Sequence, residues 1–256
     1  MTGCELGADS VSFRPGALRG GSFLADPGTA GSTALLLQVA CPPLVFALPA
    51  AARGDGARES ENELVVRGGT NAARAPQADY TQHVLLPFLR AHFALAPRLT
   101  VRRRGYYPKG GGELRLCIPP TRGPLPAATL TERGAVVGVK GRAYVAGYPE
   151  RMAKEIRAAA VARLVAGGVE PDIIDVVAVR EKATDAFGRG SGAVLWAETE
   201  NGCRLGGGST GLRGEDLASL GNAAADELLR NIEHGGCVDE YLQVRRVSRY
   251  PTVGLN

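Results

Sequence analysis

The chain has no cysteine pairing pattern. Its five cysteines, Cys4, Cys41, Cys117, Cys203 and Cys237, are scattered, with no Cys-x-x-Cys among them. That argues against a zinc knuckle. An odd, dispersed count fits reduced thiols in the cytosol or nucleus, most of them small core residues. No apolar run reaches membrane-spanning length. The most hydrophobic stretch, Ala34 to Ala52, is interrupted by Gln38 and by prolines at 42, 43 and 49, and reads as a buried helix with an irregular end. The amino-terminal MTGCELGADS lacks the charged-then-apolar pattern of a secretory signal. Charged residues make up 22 %, too few for a disordered chain. The net charge of +4 is compatible with a nucleic-acid partner but far from an arginine-rich arm.

What is present is alternation. A strand entered at VSFRPG (11–16) is followed by two glycines and a second strand. PGTAGS then opens an apolar helix, with Thr29 and Ser32 as candidate caps. A related pass follows: strand 63–67, a Gly-Gly turn with Thr70 and Asn71, and a helix from about Gln77, with Val84, Leu85, Phe88 and Leu89 at helical spacing. Two such passes suggest repeated supersecondary units. Between them, 51–63 reads as a flexible polar loop. The proline-containing stretch 121–134 is the best domain boundary. Beyond it come strand material (135–148), a helix started by Pro149, strands IIDVVAVR and AVLWAETE, a turn at Gly206 to Gly208, and a second long helix ending at a Gly pair. The class is mixed α/β or α+β.

The richest segment is RGYYPKGGGE, Arg104 to Glu113. LTVRRR before it and ELRLCI after it alternate like strands. Three glycines between two strands are entropically costly and bury nothing, and a turn seldom needs more than two positive-φ positions. The surplus implies close backbone approach, and Arg104 and Lys109 point to an anion. A glycine-rich hairpin with exposed aromatics is the equal alternative on spacing alone.

Arg-Gly-x-x-Pro-x-Gly-Gly-Gly resembles the signature of RNA 3′-terminal phosphate cyclases, and the match is complete from Arg104 to Gly112. GTAGST (28–33) with Gln38, GGTNAARAPQADYT (68–81), TERG (131–134) and HGGCVDEYLQ (234–243) match in order as well. The YYPK and DEYLQ spellings look closer to eukaryotic members. The resemblance implies ATP- and divalent-metal-dependent (Mg²⁺) conversion of an RNA 3′-phosphate to a 2′,3′-cyclic phosphate, through a histidine–AMP adduct and RNA adenylylation. Neutral imidazole is a suitable nucleophilic carrier near neutral pH, and positioning with charge neutralisation carries most phosphoryl transfer. The implied fold has a large domain of repeated βαβαββ units with a smaller α/β domain inserted. On this chain that gives a large domain over 1–133, the insert over 134–235, and a return over 236–256.

By the same resemblance Gln38, Pro76 and Tyr241 contact the nucleotide. Arg104, Lys109, Gly110, Gly111 and Gly112 contact phosphate or RNA, the three glycines being more secure as a backbone requirement than as ligand contacts, and Tyr106 and Tyr107 are open to base stacking or to local packing. Read without it, Gln38 fits an ordinary core hydrogen bond, Pro76 a loop-stiffening proline, Tyr241 a helix-face aromatic and Lys109 a solvated hairpin. One cleft shared by the hairpin, Gln38 and Pro76 is expected. His83, His92 and His234 lie outside the family's catalytic context and read as surface or capping residues. The acidic, glycine-rich opening and the histidine segment of the family have no counterpart, and VRRVSRYPTVGLN departs from it without helical periodicity. The expectation is therefore a chain truncated at both ends that forms no AMP adduct. Nuclear localisation is expected, with the cytoplasm as the alternative, and no membrane partner. The competing readings are a non-catalytic cyclase-like protein of ribosome biogenesis and a residual RNA-binding fragment.

Overall fold

The computed structural model describes residues 2–49, 61–211 and 214–247, with side chains as far as Gln243. The first half is a βαβαββ arrangement. Strand β1 (Ser22–Ala25) leads through a Pro-Gly turn to helix α1 (Thr33–Phe46). Strand β2 (Asn62–Gly68) leads to a continuous helical segment made of α2 (Ala78–Tyr80), a π-helical turn (Thr81–Leu85) and α3 (Leu86–Phe93). Strands β3 (Arg98–Gly105) and β4 (Gly112–Ile118) close it as a hairpin. The order across the sheet is β1-β2-β4-β3, with β1 parallel to β2 and the other pairs antiparallel.

Strict alternation in β2 and β4 explains why this sheet has one helix-covered face. Leu64, Val66, Leu114, Leu116 and Ile118 point into the core with α1 and α3. Each such fully buried aliphatic side chain stabilises by roughly 1.5–3 kcal/mol. The opposite face carries cross-strand ion pairs, Arg67–Glu113 at 3.0 Å and Arg115–Glu63 at 2.7 Å. Ser32 caps α1 by accepting from the Leu35 amide, and Thr29 instead accepts from the Gly31 amide one turn earlier. The α1 carboxyl end is held by buried Asn62, whose amide donates to the carbonyls of Leu44 and Ala47, both at 2.7 Å. Those carbonyls would otherwise be orphaned at the helix end.

The stretch from 119 to 135 has no regular structure. The second half follows: β5 (Val136–Ala146), α4 (Glu150–Ala166), a 3₁₀ turn (Pro171–Ile173), β6 (Ile174–Arg180), β7 (Ala186–Phe187), β8 (Gly190–Thr199), β9 (Arg204–Gly211), α5 (Leu217–Glu233) and α6 (Glu240–Val247). Its sheet has the order β6-β5-β8-β9. One face, with Val139, Ala143, Val145, Leu195 and Leu205, packs under α4 and α5. The other, with Tyr144, Val194 and Trp196, joins the core of the first half. A sheet covered on both sides reads as a continuous buried run, as β8 does. The mixed α/β class and the repeated strand–helix units are thereby established.

Three local expectations change. Residues 11–16 are not a strand: Ser12 makes only an isolated bridge to Thr2, and Val11 and Phe13 are exposed. Without a neighbouring strand a short apolar run has nothing to pair with, and Pro15 removes a donor. Gly206 to Gly208 are not a turn but the middle of β9. A Cβ on Gly207 would lie 2.5 Å from the Leu228 amide nitrogen and 2.6 Å from the Ala224 carbonyl oxygen, so glycine lets α5 lie directly on the strand. The segment 244–247 continues α6 rather than leaving helical structure. The expected loop at 51–63 lies outside the described residues except for its last three, of which Asn62 and Glu63 belong to β2.

Candidate active cleft and nucleotide recess

The RGYYPKGGG turn is fixed by backbone packing on every side. Gly110 and Gly111 both have φ of +68°, a region that costs other residues about 1–2 kcal/mol. A Cβ on Gly110 would lie 2.6 Å from the Thr29 carbonyl oxygen and 2.8 Å from the Ala30 Cα. One on Gly111 would enter the Phe187 ring, and one on Gly112 would meet the Gly105 amide and the Thr70 methyl, both at 2.7 Å. The close approach inferred from the glycines is real, and what approaches is the protein's own β1–α1 turn and β7. Strand β7 extends the first sheet alongside β3: Arg104 N–H donates to the Asp185 carbonyl (2.8 Å) and Tyr106 N–H to that of Phe187 (3.2 Å).

Arg104 points inward. Its guanidinium donates to Asp79 Oδ2 at 2.5 Å and Oδ1 at 2.7 Å, and its Nε pairs with Glu181 at 2.8 Å. Arg142 of β5 closes the ring, 3.2 Å from Asp79 and 3.0 Å from Glu181. Two residues come from the first half and two from the second. Burial alone would raise the Asp79 carboxyl, but the charges and hydrogen bonds of Arg104 and Arg142 hold it at about 2, below the ordinary 3.8. Beside the ring, Gln77 joins the halves. It accepts at Oε1 from Asn71 and Tyr144, both at 2.7 Å, and donates to the carbonyls of Ala193 (3.1 Å) and Ser209 (3.0 Å). Arg104 is thus part of the scaffold, not available to an external phosphate.

In front of this scaffold lies an open cleft of about 990 Å³. Its floor and rim come from Ala30, the Asn71–Ala73 loop, the hairpin tip Tyr106–Lys109, Tyr148, the Phe187–Ser191 segment and the end of β9. Lys109 and Tyr107 are exposed there. Tyr106 is buried, its ring stacked on Tyr144 at 6.1 Å, and burial pushes its phenol upward. So Tyr107 is the stacking candidate of the pair, and Tyr106 packs.

Pro76 and Tyr241, 165 residues apart in sequence number, meet in a second, much smaller recess of about 30 Å³ with Tyr80, Val194 and Glu227. Tyr241 packs edge-on against Tyr80, centroids 5.4 Å apart, and Tyr80 O–H donates to Asp239 at 2.7 Å. Asp239 in turn accepts the Gly206 amide (2.8 Å) and the Leu242 amide (2.9 Å), which pins α6 against β9. The expected single cleft is not formed. The hairpin lines the large cleft, Pro76 and Tyr241 the recess, and half-exposed Gln38 on α1 lines neither. The Asn71–Gln77 loop connects them, its first half in the cleft and its second in the recess.

The recess holds a carboxyl whose titration is strongly altered. Burial, and then the neighbouring Glu240, push the Glu227 carboxyl up to about 7 from 4.5, while the Gly208 amide and Tyr241 pull the other way. Its Oε1 is buried without a hydrogen-bond partner. Between 4.5 and 7 the folded chain keeps a proton that the unfolded chain has released. The associated stability is present below 4.5 and lost as pH rises through 7. Glu227→Gln should therefore leave the urea midpoint unchanged at pH 4 and stabilise by about 2 kcal/mol at pH 8. Equal midpoints for variant and parent at pH 8 would contradict that.

None of the three histidines reaches the recess or the cleft. His83 stacks on Trp196 at 4.2 Å and burial pushes it downward, His92 contacts Phe88, and His234 ends α5. Among the described residues no three His, Cys, Asp or Glu side chains converge. ATP fits the side chains present: Pro76 and Val194 give an apolar wall, Tyr241 a half-buried ring, and Glu227 an unpartnered polar atom. A recess this small cannot enclose a purine, so the base would rest over it. Arg142, Glu181 and Glu227 had no sequence signal beyond residue type, because their partners lie on distant elements, and Gln77 and Asp79 fall inside the matching segment 68–81 without that motif marking their roles.

The RNA 3′-terminal phosphate cyclase (RTC) family model matches residues 1–247. The chain is similar to the RNA 3′-terminal phosphate cyclases of Methanothermobacter thermautotrophicus (37 % identical over 242 residues), Ignicoccus hospitalis (35 % over 242) and Pyrococcus furiosus (34 % over 245). Each match covers 94 % of this chain but 65 % of the relative, so the chain spans a little under two thirds of their length. No described helix is long and apolar enough to cross a membrane. On the extent of the match, this chain belongs to the RNA 3′-terminal phosphate cyclase family.

Proposed function

We propose that the protein acts on RNA ends as an ATP-dependent 3′-terminal phosphate cyclase of the eukaryotic type, in the nucleus, converting a 3′-phosphate to a 2′,3′-cyclic phosphate. The observation that supports it best is the meeting of Pro76 and Tyr241 in one recess within a chain that matches the family over residues 1–247. In this reading the adenine of ATP rests over Pro76 and against Tyr241, and the RNA end approaches from the hairpin side, with Lys109 meeting phosphate. Gly110, Gly111 and Gly112 act by holding the turn. Gln38 contributes to the nucleotide from α1. ATP supplies the leaving group that a phosphate monoester lacks, through adenylylation of a histidine other than His83, His92 and His234 and then of the RNA, with Mg²⁺ neutralising charge.

Binding of ATP to the chain, measured by calorimetry, is the test. Tyr241→Ala should weaken it on the order of tenfold, the usual size of one lost base–aromatic stack. A variant that binds as well as the parent would remove the assignment. The non-catalytic ribosome-biogenesis reading separates by activity. Assayed in a chain that carries the family's histidine segment, appearance of a phosphatase-resistant RNA 3′ end, dependent on ATP, favours the cyclase, whereas ATP binding without it favours the alternative.

A further inference from the structure

Two of the scattered cysteines, Cys203 and Cys237, meet in the fold. Cys203 lies between the β8–β9 turn and β9. Its amide donates to the Thr199 hydroxyl and its carbonyl accepts from the Thr199 amide, both at 3.1 Å. Cys237 lies in the connection from α5 to α6. Three ties hold these segments side by side. The Gly206 amide donates to Asp239 at 2.8 Å, and Asn231 of α5 donates to the Gly206 carbonyl at 3.0 Å. Arg133 accepts from the Asn201 amide at its carbonyl (3.3 Å) and donates from its guanidinium to the Ile232 carbonyl (2.8 Å). Between these ties the two thiols are close enough to share a side-chain hydrogen bond. Cys203 is 2 % exposed, whereas Cys237 is only half-buried. One sulfur is therefore open to a small reagent, and the other lies shielded against it.

An accessible cysteine on its own stops at a mixed disulfide or a sulfenic acid. One with a second thiol in contact goes on to an internal disulfide. Thiols already in contact need side-chain rotation to bond, not the shift of a strand. We infer that Cys203 and Cys237 form a redox-responsive pair, oxidised to an internal disulfide by small-molecule disulfides of the glutathione class. The Cys237 thiolate attacks one sulfur of the oxidant. The oxidant's S–S bond breaks, and its other half leaves as a thiol carrying the Cys237 proton. The Cys203 thiolate then attacks the Cys237 sulfur and expels the second small thiol, which takes the Cys203 proton. Two protein thiols have lost two electrons and two protons, and one small disulfide has become two thiols. Burial, and then the adjoining Cys237, push the Cys203 thiol upward, which keeps it protonated at rest and leaves the first attack to Cys237. The new bond tethers the connection that presents Asp239 and Tyr241 to the β8–β9 turn. The inference goes beyond the cyclase reading and does not rest on it.

The test is peptide mapping by mass spectrometry. The whole chain is reduced, exposed to oxidised glutathione, blocked at its remaining thiols with N-ethylmaleimide, and digested with trypsin. Peptides 190–204 and 231–245 should appear joined, lighter than their sum by two hydrogens, in material that migrates as a monomer. Dithiothreitol should separate them. Cys203→Ser should trap glutathione on Cys237, because no second thiol expels it. Cys237→Ser should leave Cys203 unmodified, because that sulfur is shielded. Cys4→Ser, which removes an exposed cysteine, should leave the link unchanged. The inference is overturned by lasting glutathione on Cys237 of the parent chain without the joined peptide, or by no reaction at 231–245. It is overturned equally by a link found only between two chains, or by one lost with Cys4→Ser. The map of the parent chain decides by itself if a serine variant fails to fold.

Discussion

Asp79→Ala should destabilise the chain by about 3–5 kcal/mol, the usual result of removing one partner from a buried ion pair. Asp79 is 2 % exposed and faces two guanidinium groups. Without it, Arg104 and Arg142 remain buried with Glu181 alone. Because the four residues come from both halves, the loss should separate β3 from β5 as well as soften the first sheet. Urea unfolding gives the measurement, and a variant within 1 kcal/mol of the parent would contradict the account. The same carboxylate sets an acid limit. Its pKa is about 2 folded against 3.8 unfolded, so its contribution of about 2 kcal/mol is fully present above 3.8 and lost as pH falls to 2. Asp79→Asn should flatten the pH dependence of stability in that window.

Gly110→Ala should cost about 2–5 kcal/mol. The left-handed backbone accounts for about 1–2 kcal/mol, and overpacking adds roughly 1–3 kcal/mol. The atoms in the way are the Thr29 carbonyl and the Ala30 backbone, which cannot swing aside as a side chain can. Gly123→Ala, with nothing within 4 Å of its added Cβ, serves as the control and should be silent within about 0.5 kcal/mol. Thermal unfolding of the two variants decides this. Equal midpoints would mean that the hairpin tip does not depend on seating against the β1–α1 turn. The contrast also separates packing from ligand contact. A Gly110 variant that folds normally but loses RNA binding would assign the glycine to the ligand instead.

The hairpin and both strand–helix passes were legible because their signals are local. Alternation in β2 and β4, the helical spacing of Val84, Leu85, Phe88 and Leu89, and Ser32 before α1 each need only a few neighbouring residues. β9 was not legible, since Gly206 to Gly208 look like a turn until α5 is seen lying on them. Arg104 is the clearest case at the site. A cation beside three glycines suggests an anion, and the anion is Asp79 and Glu181, 25 residues before it and 77 after. Charge pattern marks a need for a counter-charge but not its source. Pro76 and Tyr241 were named by motif resemblance and meet in space. Gln38, named the same way, stays on α1 outside both recesses. Glu227 carries no motif, and its altered titration depends on Glu240 and on the Tyr241 side chain, brought beside it by the α5–α6 connection.

The central claim is that an adenine nucleotide sits over Pro76 and Tyr241. Photolabelling of the chain with 8-azido-ATP, followed by peptide mapping, addresses it most directly. The account predicts label within 75–80 or 237–243, competed away by unmodified ATP. Label confined to the hairpin cleft, or label that ATP does not displace, would contradict it.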